Sequence, residues 1–438
     1  MNKIVYLLIF IFFLNSCANK ESKLWPLSKK KNDSDLIEKN KEQLEQIFQE
    51  EEIVNKEFNQ DLIIKISETE KSTNSDKYFN NNYGQIDFDK DAKNKRKIKF
   101  KRINNFYQYE PEISFSKNDL IFFEKKGTIF KLDDNYKVLW KKNYYTKNEK
   151  KLDPILQFTN QGKFLIITDN IAKYYMLDIE TGNLVWSKSS VAPFNSQIKI
   201  FKDKFFVIDF SNTLRCFSLK NGNELWNIKT ERSLIRSNKK LSIVIVNNTA
   251  YFNNSIGDIS AVDINKGELI WQLPTQNSLI YESSFSLETS DLITDKKKLF
   301  FSNNKNQFFS IDLSTGSFDW QTNINSNLRP SLIGNILFTV SSEGFFFLID
   351  KNKGSIIRVT DVFNIFKNKK RHLIKPTGFI IGGNRMFLST DNGRLLVIDV
   401  TSGKTISTIK IDNKKILQPI ISNNNLFVAR DNAIIKLN

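Results

Sequence analysis

The 438-residue chain holds one histidine, His372, and two cysteines, Cys17 and Cys216. An HExxH metal site needs two histidines and is excluded; no Gly-rich phosphate loop or Ser–His–Asp set is legible either. His372 sits in KNKKRHLIK, where a solvated loop residue is the simplest reading. Cys216 lies inside an apolar stretch, where a thiol behaves as a small buried hydrophobe. Beyond the first seventeen residues no apolar run approaches eighteen, which excludes a later transmembrane helix. Methionine is scarce at three, against 37 Phe and many Ile, Val and Thr, a balance that favours strands.

What is present begins with MNKIVYLLIFIFFLNSC. A lysine precedes an apolar run, Ile4 to Phe13, too short to span a bilayer and suited to a signal-peptide core. Leu14-Asn15-Ser16-Cys17 resembles a bacterial lipobox, which predicts a signal peptide over 1–16 and acylation of Cys17. Asn15 is unusual at its position, and an ordinary signal peptide or short anchor with a chance cysteine is the alternative. Acylation would leave Cys216 without a disulfide partner. Ala18, rather than Asp, follows Cys17, which resembles the sorting signal for the outer membrane, facing the periplasm.

Residues 18–95 carry a net charge of −3 and no Gly before Gly84; with Lys3, this leaves +19 of the chain's +17 on residues 96–438. The expectation for 17–95 is a polar tether, mostly disordered or partly helical, with helix character over 35–58, where Asp35 and Glu38 make a capping pair. The excess of Lys and Arg suggests nucleic acid by sign alone. A periplasmic location and charges spread along the chain argue against it and favour acidic partners or anionic headgroups.

From residue 96 the sequence repeats. Short strands close at 133, 178, 218, 263, 312, 350, 399 and 438, a spacing of 38 to 49 residues that matches a four-stranded propeller blade. Most are followed by a Gly turn (ETGN, KNGN, NKGE, STGS, NKGS, TSGK), and Trp186, Trp226, Trp271 and Trp320 follow their Gly by four residues. Gly supplies the positive φ of the turn. The tryptophans read as wedges between blades; Trp140 holds the place in blade one, while Arg358 and Ser407 replace Trp in copies six and seven. The repeat Asp residues, 178, 263, 312, 350 and 399, read as turn ligands, one per blade and far apart around the ring.

The prediction is an all-β, eight-bladed propeller of four-stranded antiparallel blades over 96–438. Its last blade, ending AIIKLN, lacks an outer strand. A bare edge would pair with other chains, and KRKIKFKRIN, with Ile98, Phe100 and Ile103, is expected to close the ring.

Repeats of the form apolar-x-x-apolar-Asp-x-x-x-Gly-x-x-x-Trp resemble quinoprotein-type propeller repeats. With the lipobox and the ending NLFVARDNAIIKLN, the chain resembles the BamB lipoproteins of the outer-membrane β-barrel assembly machinery. That resemblance implies a non-catalytic scaffold without cofactors, docking the periplasmic domains of the barrel-inserting subunit BamA. It places the contact on Leu234, Ile235 and Arg236, where Ser233 departs from the family's first Leu, and on Glu288, the one acidic residue of a usual pair. Read without it, TERSLIRSNKK is a basic inter-blade loop. The alternatives are a periplasmic quinone-dependent oxidoreductase, whose vicinal cysteines are missing, and a propeller binding another envelope ligand.

Overall fold

In the computed structural model, residues 56–66, 81–82, 84–230, 239–275 and 287–438 are described. They form eight sheets of four antiparallel strands, one with a short parallel fifth strand. Seven are meanders, the eighth takes its outer strand from residues 95–99, and first strands touch between blades one to four and between seven and eight. The eight-bladed propeller expected from the repeats is the observed fold. Blade two is representative: strands Leu156–Gln161, Phe164–Asp169, Lys173–Asp178 and Leu184–Ser189 run from the axis outward. Its second and third strands are buried on both faces, because each blade is sandwiched between two others. Such strands read as unbroken apolar runs (FLII, YYML) rather than as alternation. The outer strand LVWSKS meets solvent and is buried only intermittently.

The repeat Asp residues do what the turns require. Asp178 Oδ1 accepts the backbone N–H groups of Glu180 and Thr181 at 3.1 and 2.9 Å, and Asp350 does the same for Asn352 and Lys353 at 2.8 and 2.9 Å. Those backbone donors hold the Asp178 carboxyl below the usual carboxylate range.

Each repeat Trp bonds and packs onto the following blade. Trp140, Trp186, Trp226, Trp271 and Trp320 donate their indole N–H to the carbonyls of Ile179, Leu219, Ile264, Leu313 and Lys351, at 2.9 to 3.2 Å. The indole lies against that blade's turn glycine: a Cβ on Gly182, at φ +68°, would stand 2.7 Å from the Trp140 ring. Glycine is therefore required twice at this position, by backbone and by space.

Arg358 takes over the bond where Trp is missing, donating from Nη2 to Val400 O at 2.9 Å. It is fully buried, and desolvation lowers it to about 10, so it stays charged at neutral pH. Its other Nη reaches Thr401 O and, at 2.8 Å, Leu62 O, which lies outside the repeats. Residues 56–66 thus run along blades six and seven. Phe58 and Val359 exchange both backbone hydrogen bonds (3.1 and 2.9 Å), and Ile64 is buried in the core those two blades share.

The ring closes as the edge argument requires. Lys95–Lys99 pairs antiparallel with Ala433–Leu437, Ile98 opposite Ile434, and completes blade eight. The strand is shorter than KRKIKFKRIN. After Lys99 the chain turns over onto blade one: Phe100 packs against Phe122 with ring centroids 5.3 Å apart, and the Ile103 N–H donates to Asp431 O at 2.8 Å.

Arg96 of this strand stands opposite Lys436, two residues before the closing Asn438, as Trp186 stands opposite Met176, two before Asp178. It fills the wedge position of blade eight: its guanidinium lies 4.4 Å from the centroid of the Tyr136 ring, and Nη2 donates to Asn135 O at 2.8 Å.

Residues 81, 82 and 84–86 bind along the axis-lining strands. Asn81 and Asn82 imitate a strand with their side-chain amides, each donating to and accepting from one backbone position, Ile245 and Leu332 respectively. Gln85–Ile86 pairs parallel with Ile381–Gly382, and Phe88 is buried edge-on against Phe387 at 5.2 Å.

Candidate functional site

In every blade the first strand begins at one mouth of the axial channel, and the connections from the preceding blade arrive there. A cavity of about 820 Å³ opens at this mouth. Its wall is built from the residues leading into blades one and four to eight, among them Glu112, Lys240, Asp291, Arg329, Lys375 and Lys415, together with the short helical turn Phe106–Tyr109.

Charge at the mouth is largely paired across blades. Lys240 pairs with Glu112, and Lys415 with Glu110 at 2.7 Å. Arg329 lies 3.8 Å from Asp291, which also accepts from Gln197 at 2.8 Å. Just beneath, Lys199 of blade three is buried; desolvation, reinforced by Arg329, lowers its ammonium to about 7. Bonds of this kind tie blades distant in sequence, so the mouth is a rigid, mixed-charge rim.

Of the residues singled out by sequence, Leu234, Ile235 and Arg236 lie outside the described residues, as do Cys17 and residues 35–55 of the helix-like stretch 35–58. The residues that follow the first loop, Lys239 and Lys240, line the cavity, and Lys239 donates to Asn327 O. Glu288 is exposed on the same rim: it accepts from the Asn327 side chain, and its backbone N–H donates to Asn304 Oδ1 at 2.9 Å. The described ends of the connections into blades four and five are therefore joined through Asn327. His372 is exposed in the connection between blades six and seven. Cys216 is buried in blade three, its thiol pushed up to about 12 by desolvation. Among the described residues no group of three or more His, Cys, Asp or Glu side chains is placed to hold a metal ion. Sequence reasoning passed over Lys199, Glu112, Asp291 and Arg329. One signal was available, a charge just before or inside an apolar first strand, as in QIKIF and LRPSLI.

Known proteins share this architecture. A solved structure of BamB from Moraxella catarrhalis superposes with a TM-score of 0.63, covering 78% of this chain and 99% of that one at 15% identity, a likeness of fold. An uncharacterized protein of Rickettsia prowazekii is 22% identical over 56% of this chain and 57% of its own length. The outer membrane protein assembly factor BamB of Legionella pneumophila is 21% identical over 47% of this chain and 51% of its own. The chain thus spans about half the length of these two curated relatives. The family model described as outer membrane protein assembly factor BamB matches residues 125–360, from the end of blade one's second strand to the outer strand of blade six. That is more than half of the chain, and the chain belongs to the BamB family of outer-membrane protein assembly factors.

Proposed function

We propose that this propeller is a non-catalytic scaffold of the outer-membrane barrel assembly machinery. Acylation of Cys17 holds it to the outer membrane, facing the periplasm. The channel-mouth rim docks the periplasmic domains of a BamA-like subunit, with Leu234, Ile235 and Arg236 in one connection and Glu288 in the next. One observation carries this reading: the residues that end those two connections, Lys239–Lys240 and Glu288, meet on one rigid rim. A rim already formed where both loops end lowers the ordering cost of docking there. An arginine beside apolar residues is hot-spot chemistry. The quinone-dependent alternative asks for vicinal thiols, and the chain's two cysteines are a buried Cys216 and a Cys17 far from it in sequence.

The test is co-purification from membranes. Arg236→Glu should weaken capture of the BamA-like subunit by about 2–4 kcal/mol, while thermal unfolding stays within about 0.5 kcal/mol of wild type. Equal capture by both proteins would remove this loop from the interface.

A further inference from the structure

We propose that the corner between blades six and seven is a second membrane contact, a surface that lies against anionic lipid headgroups independently of any acyl chain. The inference rests on the outer-membrane location proposed above and extends it.

Residues 362–375, VFNIFKNKKRHLIK, carry five Lys and Arg and no carboxylate. Buried Val362, Phe363 and Ile374 fix both ends of the segment in the core of blades six and seven, and a helical turn, Asn368–Arg371, lies between them. What this frame holds outward is cationic and apolar together. Lys367, Lys369, Lys370 and Lys375 are exposed, as are Ile365 and Leu373, the latter at 65%.

The docked segment 56–66 adds to the same corner. Arg371 pairs with Asp361, whose backbone N–H donates to Glu57 Oε1 at 3.0 Å, and Arg371 lines one groove with Lys56, Glu57, Asn59, Gln60, Asp61 and Leu62. Phe58, Leu62 and Ile63 are all exposed there, Ile63 at 72%. Apolar side chains flanked by cations are what an interfacial surface needs, since neither signal alone holds a protein stably to a bilayer. Each cation near an anionic surface strengthens partition about five-fold. Lys56, the first described residue after Cys17, stands in this corner. An acidic protein would satisfy the lysines. It would leave the exposed apolar side chains of the same corner, Phe58, Leu62, Ile63, Ile365 and Leu373, unexplained.

The test uses the full chain isolated from membranes and reconstituted into vesicles, with Leu373→Cys carrying an environment-sensitive thiol probe. Cys216 is buried and does not compete for the label. In vesicles of phosphatidylethanolamine with phosphatidylglycerol the probe should shift to the blue. In phosphatidylcholine vesicles, which hold the anchored protein equally, it should not. The shift should vanish in 1 M salt, where the screening length is about 3 Å, and in Lys367→Glu/Lys369→Glu/Lys370→Glu. A probe at Leu225→Cys, exposed on the outer strand of blade three across the ring, should stay unshifted throughout. Identical emission in both vesicle types overturns the proposal, as does a probe that responds only to an added BamA-like subunit. Capture of that subunit, measured in parallel, reports on the scaffold reading separately.

Discussion

Blades one to five and blades six to eight solve the same packing problem with different residues. In the first group each blade sends a Trp onto the next turn, and this wedge contact is made within the repeats. In the second, Arg358, Ser407 and Arg96 hold the wedge positions, and segments from outside the repeats enter. Residues 56–66 bond to Arg358, residues 85–88 pack on blade seven, and residues 95–99 finish blade eight. A Trp satisfies one carbonyl and fills space. An Arg satisfies up to three carbonyls, and so can bind a passing strand to the ring. Ser407 has no Gly turn to press against, because the third and fourth strands of blade eight are not joined by one. The pattern breaks where the chain's own N-terminal region is received.

The strongest break of this comparison is truncation. Removing residues up to 106 takes the closing strand with Ile98, together with Ile103 and the Phe88 contact. Burying each such side chain contributes about 1.5–3 kcal/mol, so a large part of the about 5–15 kcal/mol typical of a domain should disappear. The melting temperature should fall steeply, with aggregation through the exposed 433–437 edge. Removal up to residue 80 loses, among the described residues, the 56–66 contact and should cost far less. Equal melting of the two would mean that the ring does not depend on this strand.

Trp226→Arg places the second group's solution in the first, where no extra strand offers carbonyls. It should cost about 2–3 kcal/mol in chemical denaturation, less than full truncation of a Trp because the arginine stem still packs. A neutral result would show that the wedge needs only one donor.

The reverse exchange, Arg358→Trp, separates two jobs. The bond to Val400 O is kept and stability should change by about 1 kcal/mol or less, while Leu62 O loses its donor. Limited proteolysis should then cut within 56–66 faster than in wild type, and unchanged cleavage would remove Arg358 as the clamp. Smallest of all, Arg96→Ala loses one exposed cation–π contact and one hydrogen bond, about 0.5–1 kcal/mol, read as a slight fall in melting temperature.

The ring was legible in sequence because its signal is redundant: eight closing positions, six Gly turns and five tryptophans all carry one period. Arg96 was not. Its strand precedes the first repeat and has neither Gly nor Trp, so only the register against Lys436 reveals its place. The channel mouth was hidden for a different reason. Glu112, Lys199, Lys240, Asp291 and Arg329 are ordinary charges, one from each of five blades, and closure alone brings them together. The two docking loops came from family resemblance, and the structure adds only where their following residues stand.

Closing the circle with its first strand also sets an order of events. Ile98 pairs with Ile434, so the two halves of blade eight are the first and last parts of the propeller to be made. The entropy of joining such distant segments grows only slowly with their separation, and the equilibrium penalty is modest. The kinetic consequence is larger. While the C-terminus is still emerging, seven blades can assemble by local hairpins, yet strand 95–99 has no partner and its lysine-rich, mostly exposed face (KRKIK) must wait. Four of its five residues are basic, so like-charge repulsion should keep two waiting chains from pairing through this strand before each finds its own end.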